Sequence, residues 1–315
     1  YGALWAEWQA HVAKARPKAK LAGVIADPVG FIERGGGDLA QAGLEAGLVD
    51  KLGDRAAFGA RVAELAGTDP ADKTPGAFAH TALEPFLASL PAETPGKAIG
   101  VITVAGEIVD GEAGPGRAGG TRIADLLDEA LDDDLAALVV RVDSPGGSVI
   151  ASEEIHRAIL RHRKKGTPVA ISFANIAASG GYWIATAGER IFAEPATITG
   201  SIGVFLVLPS FEEAAGKIGL GADGFRTTPL SGQPDLVTGY SPEINALLQA
   251  GVNSTYRDFT ARVSAARKLP AARVDGLAGG RVFDGGTARQ NGLVDQFGGL
   301  DDALAWAAAR AKLKK

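Results

Sequence analysis

Leu135-Ala136-Ala137-Leu138-Val139-Val140-Arg141-Val142, followed by Asp143-Ser144-Pro145-Gly146-Gly147, is the stretch whose reading decides the fold. A near-continuous apolar run of this length is what a strand buried on both faces requires. It stops where proline removes a donor and two glycines let the backbone approach another chain closely. Val149 to Lys165 then reads as a helix, and Pro168 to Phe173 as a second buried strand. At its end stands Ala178-Ser179-Gly180-Gly181-Tyr182, ahead of a helical stretch from Tyr182 to Ala187. The order is one β-α-β unit plus the next turn. Such crossovers are right-handed and gather their loops at one edge of a parallel sheet. The two glycine-rich turns are therefore expected to meet. Ser179 then lies at a helix N-terminus, where free N–H groups and the dipole favour an oxyanion. Gly146, Gly147 and Gly180 are the expected donors around it.

A lone serine between strand and helix is ordinarily a small residue that fits a tight turn. Here the glycines after it, the upstream Ser144-Pro145-Gly146-Gly147 and the helix start make it a candidate nucleophile with its oxyanion hole. A serine hydroxyl needs a base, and histidine is the usual one. The chain has four, His11, His80, His156 and His162. The first two lie outside the segment that carries the turns. His156 stands about 13 Å along its helix from Gly147 at 1.5 Å per residue, and His162 is further on, on the stripe of Ile155 and Ile159. Both read as surface or packing residues. Lysine serves as a base only where burial or nearby cations lower its pKa. Lys217, the only lysine between Gly166 and Lys268, reads as part of a solvated helix face over 211–218. Asp143 and Ser144 are expected to bond the turn and the helix start. Asp132-Asp133-Asp134 reads as a solvated loop, and no metal site or cofactor is expected.

The 315 residues suffice for one large domain or two ordinary ones, with 46% hydrophobic residues to build a core. A net charge of −5 with interspersed signs argues against nucleic acid as a partner. The absence of cysteine excludes disulfides and thiolate metal sites. Apolar stretches such as Ala98 to Ala105 fall far short of the ~20 residues that span a bilayer, and no signal peptide is visible. The chain starts at Tyr1 and contains no methionine, as a mature or trimmed piece would.

Part of the sequence repeats. Gly47-Leu48-Val49-Asp50-Lys51-Leu52-Gly53 returns as Gly292-Leu293-Val294-Asp295-Gln296-Phe297-Gly298, and each leads into an alanine-rich helix. Upstream, the stretch from Trp8 to Arg16 parallels that from Phe259 to Arg267. A six-residue insertion in the first copy, near Gly35 to Gly37, reconciles the two offsets. Two matches in the same order argue for duplication. The expected organisation is residues 1–68 as the C-terminal tail of a first, truncated repeat, 69–97 as a connector, and 98–315 as a complete second repeat carrying Ser179.

A third glycine-flanked motif is Thr199-Gly200-Ser201-Ile202-Gly203. In this order and spacing, the three motifs resemble the signal peptide peptidase A family. These are serine–lysine peptidases of the ClpP/crotonase-like superfold, and the long, duplicated form fits the repeat. The resemblance covers Ile99 to the C-terminus strongly and the first ninety residues more weakly. It implies an α/β fold of repeated β-β-α units, with amide hydrolysis through an acyl-enzyme on Ser179 and a lysine as general base. Ser201 would accept a hydrogen bond from that lysine and orient it. In the short form the lysine follows a Ser-Gly pair; Ser231-Gly232-Gln233-Pro234-Asp235 occupies that place here without one. In the long form it belongs to the first copy, which places the base upstream of Tyr1 and outside this chain. The resemblance also implies signal peptides and other short apolar peptides as substrates, and a ring-like homo-oligomer. It further implies membrane association through a segment not in this chain, at a bacterial inner membrane with a soluble, periplasmic catalytic part. Two other readings stay open. One is a crotonase-like acyl-CoA enzyme using the same N–H pair on a thioester; the other is a catalytically silent scaffold of this fold.

Overall fold

The computed structural model describes residues 2–90, 96–221, 223–225, 227–228 and 230–313, in two units, Tyr1–Gly96 and Lys97–Lys315. Residues 91–95 of the expected connector lie outside the described residues. The described part of the first unit is helical: α1 (Gly2–Ala15), α2 (Leu21–Ala26), α3 (Pro28–Arg34), α4 (Leu39–Glu45), α5 (Arg55–Ala66) and α6 (Leu83–Ser89). Asp27, Asp38 and Asp54 stand just ahead of α3, α4 and α5 and accept N–H bonds from their first turns, the usual way of satisfying donors a helix start leaves free.

The second unit runs β1 (Ile99–Ala105), β2 (Glu107–Val109), β3 (Arg117–Gly119), α7 (Gly120–Glu129), β4 (Ala137–Ser144), α8 (Val149–Lys165), β5 (Val169–Ala178), α9 (Gly180–Ala185), β6 (Arg190–Ala193) and β7 (Ile198–Gly200). It continues with α10 (Glu212–Lys217), α11 (Pro242–Arg267), α12 (Ala271–Leu277), β8 (Val282–Asp284), α13 (Gly285–Gln290), β9 (Gln296–Phe297) and α14 (Leu300–Arg310). The class is α/β, as the sequence led us to expect. The main sheet has the order β1-β4-β5-β6-β9, all parallel. Strand β5 is long enough to serve twice. Its first half pairs with β6 and its end, Ile176 to Ala178, with β7.

The apolar run of β4 is buried on both sides. Val140 and Val142 join Ile155 and Ile159 of α8 in the larger core, and Ala137 and Val139 face Ala303 and Ala307 of α14. Helix α8 has the bounds read from sequence, but α9 begins two residues before Tyr182. Gly180 and Gly181 allow the early start: a Cβ at Gly181 would come within 2.9 Å of the Ser144 carbonyl.

One clamp ties α11 to the sheet. Arg267 donates Nε–H to the Gly292 carbonyl (2.8 Å) and both terminal nitrogens to Asp295 (2.8 and 2.6 Å). The same carboxylate accepts the Ile191 N–H of β6 at 2.8 Å. Burial pushes Asp295 up, but the Arg267 bonds outweigh it and hold the carboxyl below its usual range. The pattern recurs inside the first unit. Arg16 donates to the Gly47 carbonyl (3.2 Å) and to Asp50. Leu48 N–H returns to Gly43 as Leu293 N–H returns to Ala288. Gly47 and Gly292 both take positive φ, 70° and 80°. The copies differ in burial: the Arg267 and Asp295 side chains are 9% and 30% exposed, whereas Arg16 and Asp50 are 31% and 79% exposed.

That difference sets an energetic expectation. Arg267→Ala strands a partly buried carboxylate and should cost about 3 kcal/mol, whereas Arg16→Ala should cost less than about 1 kcal/mol. Urea unfolding of the two variants measures both, and equal losses would mean that burial does not separate the clamps.

Candidate active site

Parallel register builds the site. Ala178 at the end of β5 lies opposite Gly200 at the end of β7, so the next residues, Ser179 and Ser201, leave the sheet side by side. Ser179 N–H donates to the Gly200 carbonyl at 2.9 Å, and Ser201 N–H to that of Arg281 at 2.7 Å. On the other flank Ser144 lies opposite Ala177, after an irregularity in β4 that follows Val142. Three turns, 144–148, 179–181 and 200–203, are thereby brought to one edge.

Ser179 has φ 52° and ψ −117°, and Ser201 has φ 49°. Left-handed backbone at a non-glycine residue costs on the order of 1–2 kcal/mol. Ser179 occupies the position ahead of α9 where a serine usually caps the helix, yet its side chain makes no capping bond. Its hydroxyl is left to the groove.

The SPGG turn divides its work. Ser144 Oγ, fully buried, accepts the Gly146 N–H at 3.1 Å. Gly146 is therefore not a free donor, which corrects the expectation from sequence. What Gly146 contributes is a missing side chain, since a Cβ there would come within 2.6 Å of Gly180 N and 2.7 Å of Ser179 Cβ. Gly147 is held by β2: Ile108 N–H donates to Gly146 O (2.9 Å), and Ser148 N–H to Ile108 O (2.8 Å). This leaves the Gly147 N–H turned away from Ile108, and an ideal Cβ of Gly180 would sit 3.3 Å from the Gly147 nitrogen. Among the described residues, neither Gly147 N–H nor Gly180 N–H has a protein acceptor. The pair can receive a carbonyl oxygen whose carbon stands over Ser179 Oγ, as an acyl-transfer site requires.

A groove of about 520 Å³ opens over this edge, lined by Glu107, Pro145 to Val149, Ser179, Ser201, Gly203, Val204 and Phe205. Its walls are small or apolar apart from Glu107, which pairs with Arg117 at 3.2 Å. No lysine or histidine lines it among the described residues. Lys217 is exposed at the end of α10. His11 sits by Glu7 (3.1 Å) and His80 by the Phe78 carbonyl (3.2 Å), both in the first unit. His162 is buried with Nε2 2.6 Å from the Leu127 carbonyl. His156 is also buried, its Nδ1 3.2 Å from Arg262 Nη1. Both are packing residues. The helix start after SPGG is capped by Ser148, whose Oγ accepts Ala151 N–H at 3.2 Å, and Asp143 instead accepts Ile176 N–H. Among the described residues no group of acidic or imidazole side chains is arranged to hold a metal ion, and no helix is long and apolar enough to cross a membrane.

Sequence reading did not find Ile108 as the strand that holds the second glycine, nor Phe205 and Glu107 as groove walls. Nothing in a three-residue strand or in Val204 followed by an exposed Phe205 signals proximity to a distant serine. The polar cluster around Glu153 behind α9 was also missed.

Residues 161–314 match peptidase family S49. Protease 4 of Salmonella typhi is 40% identical over 281 residues, which is 89% of this chain and 45% of that protein. A candidate protease of Synechocystis sp. is 39% identical over 198 residues, 62% of this chain and 71% of its own length. The chain belongs to peptidase family S49, and it spans under half the length of the Salmonella relative. Among solved structures, a point mutant of ClpP1 from Listeria monocytogenes aligns over 65% of this chain and 94% of its own, at 17% identity and a TM-score of 0.42.

Burial first, then the Arg262 guanidinium, depresses His156 from 6.5 to about 4, with Glu153 opposing. The unfolded chain thus takes up this proton near pH 6.5 and the native state only near 4. Stability is fully present above 6.5 and should fall by on the order of 3 kcal/mol as pH drops through that window. His156→Gln, a neutral acceptor, should flatten the decline when unfolding free energies are compared at pH 7.5 and 4.5. An unchanged slope would remove His156 from the account.

Proposed function

We propose that this chain carries the nucleophile half of a serine peptidase site, with Ser179 attacking a peptide carbonyl to form an acyl-enzyme. The observation that carries the reading is the uncapped, positive-φ Ser179 beside two unpartnered N–H groups, Gly147 and Gly180. The carbonyl oxygen becomes an oxyanion at these donors, the Ser179 proton passes to a base, and the base returns it to the leaving amine. Water then repeats the cycle on the ester.

The general base is assigned to a lysine delivered by a first copy of the repeat, outside residues 1–315. Support comes from the recurring Arg16–Asp50 clamp, which is what a tail of another such copy would carry. Ser201, beside Ser179, orients that lysine. On the same reading residues 98–315 are a complete repeat, and 1–68 and 69–97 are the tail and the connector. Val149, Val204 and Phe205 in the groove favour short apolar peptides, cleaved signal peptides included. A ring-like homo-oligomer, anchored at a bacterial inner membrane with its catalytic part in the periplasm, is part of the same proposal. Glu107, a carboxylate in the groove, is the feature that favours the acyl-CoA alternative; saturable coenzyme A binding at the groove would support that reading instead.

Ser179→Ala should remove peptide hydrolysis by the full-length enzyme by orders of magnitude while leaving its melting temperature unchanged. Turnover above a few per cent of wild type would sink the assignment. Gly147→Val should inactivate as well, because its side chain would collide with the Ile108 carbonyl and turn the donor aside; normal kinetics there would make the turn structural only.

Residues 1–315 alone should fold yet hydrolyse peptides at under about a hundredth of the rate reached with the first copy restored, since a serine without its base is a weak nucleophile. With both copies, activity should rise on the alkaline side as the lysine loses its proton. Ser201→Ala should lower that rate without abolishing it. Full activity of residues 1–315 alone would refute the divided site and point to Lys217.

A further inference from the structure

The two free N–H groups stand at the leading ends of α8 and α9, so their spacing depends on how these helices are held together. Near the ends, contact is by close approach: a Cβ on Gly180 would collide with Ser152 Oγ. The next residue of α8, Glu153, reaches across to Trp183 in α9. Its carboxylate, 18% exposed, accepts the Trp183 Nε1–H of α9 at 3.0 Å, Arg157 Nε–H at 2.6 Å and Arg262 Nη2–H at 3.0 Å. The Arg262 guanidinium, from α11, lies 4.8 Å over the Trp183 ring, and its other nitrogen meets neutral His156. Trp183 packs on Phe259 and is almost fully buried. Its backbone N–H donates to the Ser179 carbonyl at 2.9 Å, closing the first turn that starts at the candidate nucleophile.

A partly buried carboxylate with a guanidinium is a weak source of stability compared with apolar packing. A fixed distance between two helices is what it can supply. We propose that Glu153 and Trp183 are positioning residues that set the spacing of Gly147 N–H and Gly180 N–H, with Arg262 orienting the Glu153 carboxylate. This rests on the peptidase reading above. Misplacement of reacting groups by about 1 Å can cost ~100-fold in rate, so a shift of a fraction of that should cost about ten-fold.

The test uses the full-length enzyme and two ligands, a peptide amide substrate and a peptide boronic acid, whose tetrahedral serine adduct places an oxygen between the two donors. Trp183→Phe keeps the packing on Phe259 but removes the indole N–H. It should lower kcat about ten-fold with KM unchanged, and weaken boronate inhibition by the same factor as kcat/KM. Glu153→Ala should behave alike, whereas Glu153→Gln, which retains an acceptor for the indole, should recover most of the loss. Wild-type kcat in folded Trp183→Phe and Glu153→Ala would overturn the proposal. So would a loss that leaves boronate affinity untouched or only follows the folded fraction. Ser179→Ala, assayed alongside, separates the claims. Activity surviving there defeats the peptidase reading itself, while an inactive Ser179→Ala with a normal Trp183→Phe defeats only the positioning role.

Discussion

Everything at the candidate site follows from the pairing of one strand, β5, with three neighbours. Its register puts Ala178 against Gly200 and Ala177 against Ser144, so three turns far apart in sequence leave the sheet at one level. Parallel pairing makes this possible, because β4, β5 and β7 run the same way and deliver their C-terminal turns to the same edge. Glycine then allows the turns to close. The SPGG backbone runs against the first turn of α9 at a distance that a Cβ on Gly146 would forbid, and a Cβ on Gly180 would strike Ser152 of α8. Ser179 and Ser201 bear left-handed backbone at this junction, and the buried sheet behind them is rigid enough to impose it.

Much of this was legible in the chain. The apolar run ending at Val142 and the break at Ser144-Pro145-Gly146-Gly147 give the β-α-β unit, because a doubly buried strand has few other sequences. The bounds of α8 follow from Ser148 at its start and Gly166, in left-handed conformation, at its end. The division of labour between Gly146 and Gly147 was not legible. Which of two adjacent glycines keeps a free N–H is decided by Ser144 Oγ and by Ile108, one a side-chain rotamer and the other a long-range pairing. The Glu153–Trp183–Arg262 cluster was invisible for a similar reason. Its members come from three helices, and only tertiary packing makes them neighbours.

Electrostatics separates the groove from what lies behind it. Histidine, the usual partner of a nucleophilic serine, is present twice in the second unit and buried both times, bonded to a backbone carbonyl or to Arg262. Burial keeps both imidazoles below their ordinary pKa, and both are engaged away from the groove. Among the described residues, the first unit repeats the Arg–Asp clamp and its glycine turn without a sheet of the kind that Asp295 grips through Ile191. Its Trp5 and Trp8 stack on each other about half exposed. Local bonding alone is thus enough to form the clamp, and burial is added by the α/β body in the second unit.

The central claim is that Ser179 is the reacting hydroxyl of a peptidase. Incubating the full-length enzyme with a fluorophosphonate, digesting it and mapping the adduct by mass spectrometry tests this most directly. The account predicts one adduct, on the peptide containing Ser179, appearing at the rate at which peptide hydrolysis is lost. Loss of hydrolysis with the adduct on another residue, or with Ser179 unmodified, would contradict it.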